Sequence, residues 1–180
     1  MPNKLVPEDY AELLENLKIR IKNARIKAAL SVNRELVLLY WEIGETILER
    51  QKKQGWGAKV MERLADDLRR EFPAMKGLSR ANLFYIRAFA EAYPDKQIVQ
   101  QLVGQLPWGH NVLIIAKLKD PALREWYAGA CIENGWSRNI LEAQIETSLH
   151  KRKGNAQTNF TRTLPSPQSE LAHAVIKYPY

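Results

Sequence analysis

Apolar residues recur at steps of three and four along almost the whole chain, and sustained single alternation of the kind a strand needs is absent. From Glu8 to Lys53 there is no proline and the one internal glycine is Gly44. That spacing predicts either one very long helix or two helices with a bend near residues 31–33. Tyr10, Leu14, Leu17, Ile21, Ala24 and Ala28 make one apolar stripe on it, and Ile19, Ile26, Leu30 and Val37 make a second on another side. A helix apolar on two sides is sandwiched, either inside its own chain or against a second copy. The second stripe is the candidate interface of a homodimer or docked partner.

The same period predicts helices over residues 58–72 and 79–93, stopped by Pro73 and Pro94. A short segment follows at residues 98–103, then a helix on "GHNVLIIAKLK". Asp120 and Pro121 are a strong start signal for the next helix, and Asn134-Gly135 predicts its left-handed end. A last long helix is expected from Ser137 to about Lys151. Beyond Lys153 the chain turns polar, with Pro165 and Pro167, and reads as a linker or extended arm in which "SELAHAVIK" could form a short helix. The fold class is therefore all-α, with a helical module over residues 1–153 and an arm over 154–180.

Four helix starts share one pattern. The small residues Gly57, Ser79, Gly109 and Ser137 each follow a large apolar residue (Trp56, Leu78, Trp108, Trp136) and precede another by four positions (Met61, Leu83, Leu113, Leu141). That is the hydrophobic staple, which accounts for the Trp residues but not for the bases. Lys59, Arg80, His110 and Arg138 all fall in a first turn, where a cation forfeits about 0.3–1 kcal/mol against an anion. A helix start with free N–H groups, a small cap and an adjacent cation is suited to phosphate. The competing reading is that these side chains bend back to acids such as Glu62 or Glu142, or face water.

Charge adds weight to the phosphate reading. The chain carries 27 Lys and Arg against 20 Asp and Glu, a net +7, which favours a polyanionic partner, nucleic acid and DNA first. Between Glu15 and Glu35 six cations and no acid occur: Lys18, Arg20, Lys22, Arg25, Lys27 and Arg34. Between Glu146 and Glu170 there is again no acid, and Lys151, Arg152 and Lys153 would add non-specific affinity. Residues 58–72 and 79–93 have the outline of a helix-turn-helix with Arg80, Asn82, Tyr85 and Arg87 as candidate base readers. The turn "PAMKGL" is longer than that motif uses, so a plain helical hairpin stays open.

No catalytic or cofactor constellation is evident. There is no phosphate-cradling glycine loop, no paired-histidine metal motif and no supported Ser-His-Asp set. Cys131 is the single cysteine, expected as a buried structural thiol, and His110, His150 and His173 are scattered, so neither a disulfide nor a zinc site is expected. Glu42, beside Trp41, is expected to pair with an Arg or top the core. No Asp or Glu stands two residues before a Lys, which removes the Asp…(Asp/Glu)-x-Lys route to metal-dependent DNA cleavage. The N-terminus lacks the apolar core of a signal peptide and no apolar run approaches ~18 residues, so a reducing cytoplasm, with no membrane partner, is the expected setting.

Five stretches, "ALSVNRELVLLYWEIGETI", "GWGAKVMERLADDLRREFPAMKGLSRANLFYIRAFAEAY", "LPWGHNVLI", "WYAGACIENGWSRNILEAQIE" and "QTNFTRTLP", together resemble the N-terminal domain of the YhcG-like family. These are bacterial proteins whose C-terminal half resembles a PD-(D/E)XK nuclease. The resemblance implies a helical module that serves DNA binding or targeting, with the nuclease in a separate domain or subunit. The chain departs from the family at Tyr178, where Asp is usual, and no nuclease carboxylate or lysine has a counterpart here, so the resemblance transfers no catalytic residue.

Overall fold

The computed structural model describes residues 9–152. Lys153, the arm over 154–180 and the helix expected within it lie outside the described residues. Within them every regular element is helical, as the period of the apolar positions requires.

Helix α1 (Tyr10–Gln54) is one unbroken rod of 45 residues, about 65 Å long at 1.5 Å per residue. Gly55 stops it in the left-handed conformation, φ 64°, with its N–H on Gln51 O. No bend occurs at residues 31–33. Asn33 instead turns its side chain into the body, where Nδ2 donates to Leu106 O at 2.9 Å. It is the first buried residue of α1, so the preceding 23 helical positions, roughly 35 Å, run beyond the buried core.

The remaining elements wrap the C-terminal part of α1. They are α2 (Ala58–Glu71), α3 (Arg80–Ala92), the short α4 (Lys96–Gln101), α5 (Trp108–Lys117), α6 (Pro121–Asn134), α7 (Arg138–Glu146) and α8 (Leu149–Arg152). One core cluster joins Val37 and Trp41 of α1 to Phe89 of α3, Ile114 of α5, Tyr127 of α6 and Leu141 of α7. A second joins Tyr40 and Ile47 of α1 to Met61 of α2 and Leu83 and Ile86 of α3. The Trp108 ring packs against both, edge-on to Tyr40 and Phe89. α3 crosses α1 so closely that a Cβ on Gly44 would stand 2.4 Å from Ile86 O and 2.7 Å from the Ala90 Cβ.

Two expectations need correction. α5 starts at Trp108 with Pro107 as its cap residue, two positions earlier than the staple pattern predicts. Pro107 has φ −56°, already suited to a helix entrance, and Trp108 then enters the core from the first helical turn. The last helix is also split, because Ser148 takes φ 52° between α7 and α8. The Thr147 hydroxyl donates to Ala143 O at 2.8 Å, the local competition by which hydroxyl residues loosen helices. The break lets His150 Nδ1 come within 2.9 Å of Tyr127 Oη.

Candidate functional site

Side-chain contacts connect the helix starts that carry these bases. Lys59 opens α2 behind Gly57, a cap without a side chain, and no acid occupies that first turn. Glu62, one turn further along α2, pairs with Arg80 at the start of α3 across 3.8 Å. Two residues into α3, Asn82 Oδ1 accepts the indole N–H of Trp108 at 2.7 Å, which fixes the start of α5 against the start of α3. Gly109 then lies against the start of α7, since a Cβ there would be 3.7 Å from Arg138 Cδ. The starts of α2, α3, α5 and α7 are thus linked in series by side-chain contacts.

The bases differ in what holds them. Arg80 does reach back to Glu62, but both side chains are about half exposed, and such a pair contributes little. Its guanidinium also lies 5.8 Å from the centre of the exposed Phe84 ring. Glu142, the acid expected to hold Arg138, is engaged instead by Lys117 at 3.1 Å. Among the described residues Lys59 and Arg138 are exposed and have no ion-pair partner. The caps themselves are supplied by serines: Ser79 Oγ accepts from Asn82 N and Ser137 Oγ from Ile140 N, so neither arginine takes part in capping.

His110 does not belong to this set. It is the third residue of α5, 2% exposed, with Nε2 donating to Trp136 O at 2.9 Å. Burial holds its pKa below the ordinary histidine value, and the nearby Arg138 cation acts in the same direction, so it is a neutral core group and offers no charge to a phosphate. Of the four candidate base readers on α3, Asn82 is consumed by Trp108 and by Gly77 O at 2.6 Å. Arg87 is held by Gln51 Oε1 at 2.6 Å and by Glu91. Arg80 and Tyr85 face solvent. Lys151 and Arg152 are exposed on α8, where Arg152 donates to Thr147 Oγ1.

The candidate interface stripe also divides. Val37 is fully buried in the core, Ile26 and Leu30 are half-buried, and Ile19 is exposed. All four fall on one side of α1, but only Val37 is part of the core, so packing within the chain accounts for Val37 and not for Ile19. Cys131 is buried with its thiol pushed up to about 12 by desolvation, as expected of a structural thiol. Glu42 pairs at 3.0 Å with Lys96 rather than with the expected arginine. No group of His, Cys, Asp and Glu among the described residues could hold a metal ion, and no described helix is long and apolar enough to cross a membrane.

Sequence reasoning missed Phe84, an exposed ring beside Arg80 and next in sequence to the exposed Tyr85. The signal was present, since two consecutive aromatics on one helix cannot both face a single core.

A family profile described as the DUF1016 N-terminal domain matches residues 16–152. The Escherichia coli (strain K12) protein named "Putative nuclease YhcG" is 26% identical over 175 residues, covering 79% of this chain and 46% of that protein. The chain thus matches less than half the length of that relative. No solved structure matches the chain significantly.

Proposed function

This chain belongs to the DUF1016 N-terminal domain family, and on that premise we propose that it is a nucleic-acid-binding module, for DNA first, that targets a YhcG-like nuclease and contributes no catalytic group itself. The observation that carries this reading is the linked edge of helix starts. Lys59, Arg80 and Arg138 each stand in a first turn that holds no acid. Cations there are unfavourable in the free protein and become favourable once a phosphate sits over the N–H groups. Phe84 and Tyr85 supply rings on which bases can stack beside those phosphate contacts. The relative's name points to the same class of polyanion. In this reading residues 1–153 are the binding module, residues 154–180 the connecting arm, and the exposed Lys151 and Arg152 add to the basic surface.

The test is binding of labelled duplex and single-stranded DNA across a salt series, for the native chain and for a variant with Lys59→Gln, Arg80→Gln and Arg138→Gln. The native chain binds with affinity that falls as salt rises. The variant's log–log slope is shallower by up to about 0.9 for each duplex phosphate it no longer neutralises. An unchanged slope in the variant, or no salt-sensitive binding by the native chain, overturns the reading.

A further inference from the structure

The first half of α1 presents an apolar seam on the side away from the core. Tyr10, Leu14, Leu17, Ile21, Ala24 and Ala28 follow one another at alternating steps of four and three, the spacing of the inward positions of a coiled coil. At about 100° per residue this seam lies roughly opposite Val37, Tyr40, Trp41 and Gly44, which face the body. Its large members are exposed, Leu17 at 42% and Ile21 at 58%. Beyond Ala28 the exposed Val32 and Leu39, with Glu35 between them, lead into an open groove of about 690 Å³ lined by Ala74 and Met75 but also by Glu42, Lys96 and Gln100. The apolar track is thus the seam over residues 10–28.

The charges beside the track identify its occupant. Lys18 and Arg25 border the seam on one side, Arg20 and Lys27 on the other, at the flanking positions that set partner choice in coiled coils. A second copy laid on the seam in parallel would bring Arg20 against Arg25 of its mate. Laid antiparallel it would bring Lys18 and Arg25 against themselves, and Arg20 and Lys27 likewise. Both arrangements repel, which selects against self-pairing. A polyanion without an apolar face would satisfy the cations and leave the seam in water.

We propose that the projecting half of α1 is a docking arm for an acidic amphipathic helix other than a second copy of α1, which lays apolar residues on the seam over residues 10–28 and carboxylates against Lys18, Arg20, Arg25 and Lys27. The arm is separate from the helix-start edge, so it acts whether or not that edge binds nucleic acid.

The test uses the full chain and a synthetic helix of four heptads, with Leu and Ile at the inward positions and Glu at both flanking positions. Such a peptide repels itself and stays monomeric. Binding is followed by calorimetry and by peptide fluorescence anisotropy. The acidic peptide binds. A peptide with Lys at the flanking positions does not. Leu17→Gln with Ile21→Gln weakens the acidic complex by about tenfold or more, and neither change disturbs folding because both side chains are already exposed. Lys18→Gln with Arg25→Gln weakens it as well, and the loss shrinks at high salt. Failure of the acidic peptide to bind overturns the proposal. So does a native dimer dispersed by Leu17→Gln with Ile21→Gln, which would make a second copy the occupant. DNA binding that depends on the four cations but is indifferent to Leu17 and Ile21, with no peptide bound, would make the arm a nucleic-acid contact instead.

Discussion

Trp108 and Asn82, 26 positions apart, share a hydrogen bond of 2.7 Å from the indole N–H to Oδ1. Asn82 turns its amide N–H to Gly77 O at the same time, so one side chain joins the turn before α3 to the start of α5. Loss of partly buried bonds of this kind costs about 1–3 kcal/mol, because the indole N–H and the carbonyl are left unpaired. Asn82→Ala therefore lowers stability by that amount in urea unfolding, with an unchanged dependence on urea. A base-reading Asn82 would behave differently: DNA affinity would drop while stability held.

The crossing of α1 over α3 depends on Gly44. A methyl group there meets the Ile86 carbonyl and the Ala90 methyl, both part of a rigid helix. Alanine normally improves a helix interior by up to about 1 kcal/mol. Here the clash outweighs that gain, and Gly44→Ala destabilises by about 1–3 kcal/mol or more. Ala90→Gly in the same chain recovers part of the loss, which thermal unfolding of the single and double variants will show.

What was legible in the sequence divides along physical lines. Helix ends set by local chemistry could be read directly: Gly135 ends α6, Asp120 caps it onto Ala122 N, and Ser79 and Ser137 cap α3 and α7. The tertiary fate of a polar side chain could not. Asn33 suggested a bend and proves to be a buried anchor on Leu106 O, and His110 suggested a surface base and proves to be a core group. Both have the composition of a solvent-facing residue, and only their distant partners make burial affordable. The stripe of Ile19, Ile26, Leu30 and Val37 was legible as apolar, but not that Val37 enters the core while Ile19 stays exposed, because periodicity fixes a face without saying what covers it.

His110 makes stability sensitive to mild acid. Its folded pKa is depressed below 6.5, mainly by burial, so above that value the imidazole is neutral in both states and its contribution is complete. As pH falls below about 6.5 the unfolded chain binds a proton that the folded chain refuses, and stability is lost progressively toward the folded pKa. His110→Gln keeps a donor for Trp136 O without titrating. Between pH 7 and pH 5 the variant therefore loses less stability than the native chain, measured as the shift in urea midpoint at each pH. Equal slopes would show that the ring takes a proton without leaving its place.

Arg124 closes two helices at once. Its Nη1 donates to Ala92 O, the last residue of α3, at 2.9 Å, and its Nε donates to Leu118 O, at the end of α5, at 2.9 Å. Nη2 reaches Lys119 O at 2.6 Å. The Ala92 and Leu118 carbonyls are ones that helix ends leave without an intrahelical partner, Lys119 lying just beyond α5, and a cation beside them also complements the negative ends of both helices. Arg124→Met keeps the stem and removes every donor, and it lowers stability by about 2–4 kcal/mol given the strength of charge-assisted bonds. Arg124→Lys restores less than half of that, since a single ammonium cannot span three acceptors held in a fork. The check is urea unfolding of both variants, with hydrogen exchange at the C-terminal turns of α3 and α5. Faster exchange confined to those two turns is the signature of the shared cap, and full rescue by lysine would reduce Arg124 to a point charge.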